Sequence, residues 1–176
     1  MNIAIFGGSF DPVHTAHVKI VKKALTKLDI SRLIVVPTFV NPLKSNYHIT
    51  PQKRYKLLLS VFSNIKQVDI SDFEVSQKKS VYSLDTVRHL KKQYKAQKIY
   101  FIIGADNYEQ LHLWNGIDEL SSLVEFVVAT RNGYNIPKEL KILDVDVNIS
   151  STILRSKIDY KYIPPEIEND LKEILK

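Results

Sequence analysis

Residues 3–17 read IAIFGGSFDPVHTAH, and the fold class follows from this segment and from the pattern that continues after it. Residues 3–6 form a short apolar run that ends at two glycines, which is typical of a buried strand. Apolar residues then recur at helical spacing, at Val18, Val21, Ala24, Leu25 and Leu28. The segment therefore predicts a strand, a tight turn and a helix.

Apolar runs and amphipathic segments alternate along the rest of the chain. Further strands are predicted at residues 33–36, 68–75, 99–103, 124–129 and 142–145. Helices are predicted to begin at Pro51 after a capping Thr50, at Ser83 as a cap, at Ser151 and at Pro164 and Pro165, with short helical pieces across residues 106–120. The helix from Pro51 is predicted to have its apolar face at Tyr55, Leu58, Leu59 and Phe62. This pattern predicts a doubly wound α/β fold, a parallel sheet with helices on both faces, which binds ligands beyond the carboxyl ends of its strands.

Length and composition restrict the class of protein. The 176 residues are 44% hydrophobic, enough for one core, and we expect residues 1–176 to form a single domain. No run approaches the roughly 18 apolar residues of a membrane span, and the strand-like stretch from residue 3 leaves no room for a signal peptide, so we expect a cytoplasmic protein with no membrane partner. The absence of cysteine excludes disulfides, thiolate zinc sites and cysteine nucleophiles. The formal net charge of +6 favours anionic partners, which are nucleotides, phosphates or nucleic acid.

The loop after the first strand has the chemistry of a phosphate site. Gly7 and Gly8 let the backbone approach an anion, and the following helix N-terminus favours negative charge. The segment lacks the third glycine of the dinucleotide fingerprint and the GK[ST] of a Walker A loop, which disfavours hydride transfer and P-loop hydrolysis. If the helix begins near Val13, His14 and His17 share its first turn and can donate to phosphate oxygens. Capping, core packing and metal ligation are alternatives for such a pair.

Residues 7–17, GGSFDPVHTAH, resemble the signature of the HxGH nucleotidyltransferases, a superfamily with a Rossmann-like fold that transfers a nucleoside monophosphate from an NTP to a phosphate-bearing acceptor. Ala16 stands where the signature has glycine, and its methyl group can crowd the nucleotide. Residues 149–155, ISSTILR, resemble the ISSTxIR motif that holds the phosphates and adenine of ATP in this superfamily, although a helix cap alone also explains the serines. The resemblance implies an ATP site made of Gly7, Gly8, Ser9, Phe10, His14, His17, Ile149, Ser150, Ser151, Thr152 and Arg155.

Other segments across nearly the whole chain resemble the nicotinate-nucleotide adenylyltransferase family. They are residues 101–106 (FIIGAD) with Trp114, the loop with Arg131, Gly133 and Tyr134, the pair Tyr82 and Ser83, and a proline loop with Pro37, Pro42 and Lys44. The departures from that family are Asn41, Leu43, Val81, Ser83 and Asn132. The resemblance implies that Lys44 is catalytic together with His14 and His17, and that the acceptor is bound by Tyr82, Ser83, Gly104, Asp106, Trp114 and Arg131. The residues alone also allow a core position for Trp114 and a helix N-cap for Asp106.

The reaction implied by this resemblance transfers the AMP moiety of ATP to nicotinate mononucleotide and forms nicotinate adenine dinucleotide and pyrophosphate. Mg²⁺ is expected to be carried by ATP, since the chain shows no compact Asp/Glu cage, and no metal site of its own is expected. Phosphopantetheine adenylyltransferase is the nearest rival and is disfavoured by residues 104–114. A noncatalytic nucleotide-sensing or nucleic-acid-binding module would also explain the charge, but nucleic acid is not the expected partner. The sequence leaves the oligomeric state open, a homo-oligomer included.

Overall fold

A parallel sheet forms the centre of the computed structural model, which describes residues 1–42, 46–130, 136–145, 147 and 149–175. Its six strands within these residues are β1 (Asn2–Gly8), β2 (Arg32–Pro37), β3 (Val68–Ile70), β4 (Lys98–Gly104), β5 (Glu125–Thr130) and β6 (Lys141–Asp144). Their order across the sheet is β3-β2-β1-β4-β5-β6, and all neighbours pair in parallel. The order reverses between β1 and β4, so the ligand crevice of this sheet lies beyond the carboxyl ends of these two strands.

Helices connect the strands. The α-helices in the described ranges are α1 (Thr15–Lys27), α2 (Pro51–Phe62), α3 (Phe73–Ser76), α4 (Ser83–Gln93), α5 (Ala105–Glu109), α6 (Ile117–Leu123), α7 (Ser151–Ser156) and α8 (Glu168–Ile174). Short 3₁₀ turns lie at Leu111–Leu113, Tyr160–Tyr162 and Pro165–Ile167. None of the helices in these ranges has the length and apolar character needed to cross a membrane.

The hydrophobic core consists of two layers, one on each face of the sheet. Successive strand residues point to opposite faces, so Ala4 and Phe6 of β1 pack with α1, α2 and α8, while Ile3 and Ile5 pack with α4 and α6. All four side chains are buried. This confirms the predicted doubly wound α/β fold with helices on both faces, and it explains why the strands are apolar on both sides.

The predicted strand at residues 68–75 is wrong beyond Ile70. The Ser71 hydroxyl accepts the N–H of Phe73 at 3.3 Å, and the Ser76 N–H donates to the Asp72 carbonyl at 2.8 Å, so the chain turns into the short helix α3. The turn carries Glu74 into the protein interior. The other predicted strands lie within two residues of those observed.

Helix α2 is rotated relative to its predicted apolar face. Tyr55 and Leu59 are only half-buried, whereas Leu57 and the charged Arg54 are buried. The buried side of α2 therefore includes Arg54, whose guanidinium donates hydrogen bonds to backbone carbonyl groups.

Two helix starts differ from the predicted ones: α1 begins two residues later and α4 one residue earlier. Helix α1 begins at Thr15 rather than near Val13, with His14 as its N-cap. The N-cap of α4 is Tyr82 rather than Ser83, because the Tyr82 carbonyl accepts the N–H of Asp85 at 3.0 Å and closes the first turn.

Candidate active site

Two cavities open at the crevice beside the carboxyl end of β1. The first has a volume of about 200 Å³ and the second about 330 Å³. Among the described residues, Gly7, Gly8, Asn41 and Asn107 line both cavities. A β carbon on Gly7 would lie 3.8 Å from Phe101 in the wall of the second cavity, and one on Gly8 would lie 3.1 Å from Phe10 in the wall of the first. The glycine pair therefore separates the two cavities by little more than its backbone.

The first cavity brings together the two motifs predicted to bind ATP. It is lined by all the residues of that prediction: Gly7, Gly8, Ser9, Phe10, His14, His17, Ile149, Ser150, Ser151, Thr152 and Arg155. The Ser151 hydroxyl donates to the Pro12 carbonyl at 2.9 Å, and the Arg155 guanidinium donates to the Asp11 carbonyl at 2.8 Å. These hydrogen bonds dock α7 on the loop after β1, so distant parts of the chain form one cavity.

The two histidines stack against each other in the wall of this cavity. Their ring centroids are 3.7 Å apart, with an angle of 25° between the planes. The backbone N–H of His14 donates to Nδ1 of His17 at 3.2 Å. Because Nδ1 accepts this bond, a neutral His17 carries its proton on Nε2, and this atom is a hydrogen-bond donor. His14 is both the N-cap of α1 and part of the cavity wall, so the capping alternative and a ligand-binding role are compatible.

Phe10 holds the loop after β1 in an unusual backbone conformation. Its φ of 48° lies in the left-handed region, which non-glycine residues rarely adopt and which costs energy unless packing determines it. The buried ring packs edge-on against Phe6 at 5.3 Å and against His17 at 4.8 Å between centroids. This packing fixes the loop and the His17 ring together.

Two buried charged residues that the sequence did not single out join the loops around the first cavity. Asp11 accepts the backbone N–H groups of residues 48 and 49 at 2.8 and 2.9 Å. The guanidinium of Arg54, only 1% exposed, donates to three carbonyl groups, those of Ser9, Phe39 and Ile49. Burial lowers the pKa of Arg54, and the Asp11 carboxylate opposes this effect. The only sequence signal for Arg54 was its position four residues before the apolar Leu58 on one helix face.

The second cavity contains three of the residues predicted to bind the acceptor: Tyr82, Ser83 and Trp114. Trp114 is half-buried and packs edge-on against Phe101, with centroids 6.1 Å apart and an interplanar angle of 83°. Helix α4 begins at Ser83 in the wall of this cavity, and the first N–H groups of a helix have no partner within it. The cavity thus offers an aromatic surface together with backbone donors.

A buried carboxyl group that the sequence analysis did not identify also lines the second cavity. Glu74 is 5% exposed, and its Oε1 accepts the hydroxyl of the buried Thr86 at 2.6 Å. Burial raises the pKa of Glu74 to about 7, while the Thr86 hydrogen bond acts in the opposite direction. Sequence analysis did not place Glu74 in the cavity wall because residues 68–75 were predicted as one strand.

Gly104 and Asp106, which are also predicted to bind the acceptor, line the first cavity beside Asn107, which lines both cavities. A β carbon on Gly104 would lie 2.5 Å from the carboxylate of the exposed Asp106, so the Asp106 side chain packs close to the glycine backbone. The alternative that Asp106 caps a helix is wrong, because the N-cap of α5 is Gly104. Ala16 also lines the first cavity, but it is only 4% exposed and packs in the core, so its methyl group presents little surface to a ligand.

Two predicted site residues, Lys44 and Arg131, lie outside the described residues, as do Gly133 and Tyr134. In the part of the chain that the structure describes, no group of three or more His, Asp or Glu side chains could hold a metal ion.

A 3-2-1-4-5-6 parallel sheet with two adjoining cavities at its switch point is the architecture of a Rossmann-like nucleotide-binding protein. Residues 5–157 match the family model described as cytidylyltransferase-like. The chain is 53% identical over 173 residues to a protein of Aliarcobacter butzleri named "Probable nicotinate-nucleotide adenylyltransferase", covering 97% of this chain and 95% of that protein. A protein of the same name from Nitratiruptor sp. is 45% identical over 171 residues, covering 97% of both.

Solved structures show the same fold. The nicotinic acid mononucleotide adenylyltransferase of Plasmodium falciparum, complexed with NaAD, superposes with a TM-score of 0.79 at 23% identity, over 99% of this chain and 96% of that one. Its complex with APC gives a TM-score of 0.76 at 21% identity, with the same coverage. On the sequence matches, this chain belongs to the nicotinate-nucleotide adenylyltransferase family of cytidylyltransferase-like enzymes.

Proposed function

We propose that this enzyme transfers the AMP moiety of ATP to nicotinate mononucleotide, forming nicotinate adenine dinucleotide and pyrophosphate. The observation that carries the proposal is the pair of cavities that meet at Gly7 and Gly8. A reaction that joins two nucleotides needs two adjacent binding sites whose reacting phosphates meet, and the shared glycine backbone allows this close approach. The names of the relatives at 45–53% identity support the same reaction.

ATP occupies the first cavity in this proposal. Nε2 of His17 donates to the α-phosphate, with His14 beside it, and Arg155 supplies a guanidinium fork for phosphate oxygens. The hydroxyl groups of residues 150–152 add further donors. Lys44, a residue of the family's proline loop, is proposed as a further phosphate contact.

Nicotinate mononucleotide occupies the second cavity. Its pyridine ring packs against Trp114, and its ring carboxylate accepts the backbone N–H groups at the start of α4, next to Tyr82 and Ser83. Asp106 lies near the boundary, beside Asn107 of both cavity walls, where it can accept ribose hydroxyl groups. Arg131 is proposed on the acceptor side from the family resemblance alone.

The reaction is an in-line displacement without a covalent enzyme intermediate. An oxygen of the acceptor 5′-phosphate forms a bond to the α-phosphorus of ATP, the bond from that phosphorus to the β-phosphate bridging oxygen breaks, and pyrophosphate leaves with the electron pair. Positioning of the two phosphates can supply about 7–11 kcal/mol of the barrier reduction, and each donor to developing charge roughly 3–4 kcal/mol. Among the described residues, Asp106 is the one carboxylate that lines the first cavity and no cluster could bind a metal ion, which is compatible with a Mg²⁺ ion carried by the triphosphate. When bound, this ion neutralises charge on the leaving pyrophosphate.

A single assay tests the proposal. The purified protein is mixed with ATP, MgCl₂ and either nicotinate or nicotinamide mononucleotide, and pyrophosphate and dinucleotide are measured. We expect both products, with the larger kcat/KM for the nicotinate form, because its carboxylate suits the donors at the start of α4. Absence of dinucleotide with both acceptors would overturn the activity, and equal kcat/KM values would overturn the acceptor assignment.

A further inference from the structure

The second cavity is proposed to bind the ring carboxylate of nicotinate mononucleotide, yet its wall contains an ionisable carboxyl group. Glu74 and its partner Thr86 line the second cavity, and both are at least 95% buried. If Glu74 were ionised, it would repel the ring carboxylate of nicotinate mononucleotide. If it were protonated, it would be neutral and could donate a hydrogen bond.

The Glu74 carboxyl group lies close to the position proposed for the nicotinate ring. Ser83 and Thr86 are three residues apart on α4, so their side chains lie on the same face, with β carbons about 5–6 Å apart. The Thr86 hydroxyl holds the Glu74 carboxyl at 2.6 Å. The carboxyl therefore lies about one helical turn from the backbone donors assigned to the ring carboxylate.

We propose that Glu74 is a specificity-determining residue of the acceptor cavity, and that its protonated form selects nicotinate mononucleotide over nicotinamide mononucleotide. The inference rests on the proposed function and deepens it. The acid form donates to, or at least does not repel, a ring carboxylate, whereas the ionised form accepts an N–H of a ring carboxamide. The acceptor preference then depends on pH.

The protonation state of Glu74 depends on its burial and on the Thr86 hydrogen bond, and not on nearby charged groups. The titratable groups on the elements packed against α3 are those of β2 (Arg32), α2 (Lys53, Arg54, Tyr55, Lys56) and α4 (Asp85, Arg88, His89, Lys91, Lys92), with Asp72 before α3 and Tyr82 in the cavity wall. Of these, the four lysines are exposed. Arg88 pairs with Glu119 at 2.6 Å, and His89 stacks on Phe73 at 4.0 Å between centroids. The guanidinium of Arg54 donates to backbone carbonyl groups. Burial accordingly comes first among the causes that raise the pKa of Glu74 to about 7.

The decisive measurement is the ratio of kcat/KM for nicotinate mononucleotide to kcat/KM for nicotinamide mononucleotide, from pH 6 to 9. Both acceptors carry the same 5′-phosphate, so the ionisation of that phosphate near pH 6 cancels in the ratio. We expect the ratio of the wild-type enzyme to fall at least tenfold as the pH rises through about 7. In Glu74→Gln, which cannot ionise, the ratio should change less than twofold.

Glu173→Gln is the matched control, since it removes an exposed carboxyl on α8 and should retain the wild-type profile. A wild-type ratio that does not change with pH, or a Glu74→Gln ratio that falls as in the wild type, would overturn the role of Glu74. Absence of dinucleotide from either acceptor at every pH would instead overturn the proposed function, so the two failures are distinguishable.

A second variant tests the same point without replacing the carboxyl group. Thr86→Val removes the hydroxyl that stabilises the ionised form of Glu74, so the midpoint of the ratio should move to higher pH. A purely structural Glu74–Thr86 contact would change stability or kcat and leave the midpoint where it is. An unchanged midpoint in a folded Thr86→Val enzyme therefore counts against the proposal.

Discussion

At the scale of single residues, His17 carries the sharpest catalytic prediction. His17→Ala should lower kcat about 10²–10³-fold at saturating substrates, because one donor to developing charge is worth roughly 3–4 kcal/mol. The fold should persist, since the ring lies in the cavity wall, where it contacts His14, Phe10 and Phe6, and not in the centre of the sheet. Steady-state kinetics and thermal unfolding measure the two effects. His112→Ala, an exposed histidine outside both cavities, is the control, and near-normal turnover of His17→Ala would contradict the assignment.

Glu74 allows a separate prediction about stability. Its pKa is raised from 4.5 to about 7 in the folded protein, so the folded state keeps a proton that the unfolded chain has already lost. The stabilising contribution is complete below about pH 4.5 and disappears as the pH rises through about 7. From pH 4.5 to 8, the free energy of unfolding of Glu74→Gln should therefore rise by about 3 kcal/mol relative to the wild type. Urea unfolding at both pH values measures this, and a constant difference would show that the pKa of Glu74 is ordinary.

The residues of the first cavity could be predicted from sequence because they belong to short contiguous motifs. The segments at residues 7–17 and 149–155 both lie in its wall, although their binding of ATP stays a prediction. Glu74, Asp11 and Arg54 could not be found in this way, because their roles depend on partners far along the chain. The FIIGAD segment predicts that Gly104 and Asp106 lie at the end of a strand. It does not predict which of the two cavities they line.

At the scale of elements, Arg54 links α2 to the loops that follow β1 and β2. Arg54→Met keeps much of the side-chain volume and removes the donors to the carbonyl groups of Ser9, Phe39 and Ile49. We expect the free energy of unfolding to fall by about 3 kcal/mol, since buried acceptors lose their partners and Asp11 loses a nearby positive charge. The KM for ATP should rise at least tenfold, because Ser9 lines the first cavity.

Lys53→Met provides the comparison for this variant. Lys53 precedes Arg54 on α2 but is exposed, so its replacement should leave both the unfolding free energy and the KM for ATP nearly unchanged. Urea unfolding and steady-state kinetics on the two proteins distinguish the outcomes. An Arg54→Met enzyme as stable as Lys53→Met would show that the linkage between these loops contributes little.

The strands were better predicted than the helix ends for a physical reason. Burial on both faces gives a parallel strand an apolar run that is visible without knowledge of its neighbours. Helix starts and the turn at Ser71 depend on single hydrogen bonds, such as the one from Asp85 to the Tyr82 carbonyl, which a periodicity does not contain. The short helix α3 is the main element that was missed, and it is the one that delivers Glu74.

At the scale of the whole molecule, the net charge of +6 should assist two anionic substrates in reaching adjoining cavities. Screening shortens the range of this attraction from about 10 Å at 0.1 M salt to about 3 Å at 1 M. We therefore expect kcat/KM for both substrates to fall severalfold between 0.1 and 1 M KCl, with kcat changed less than twofold, since contacts inside the cavities are less screened. Replacement of the exposed Lys91 and Lys92 by Gln lowers the net charge from +6 to +4 and should reduce this salt dependence.

Titration of duplex DNA under the same conditions tests whether the positive charge binds nucleic acid. Saturable binding with a steep salt dependence would indicate a nucleic-acid-binding protein. Salt-dependent kcat/KM without such binding supports electrostatic steering of nucleotides.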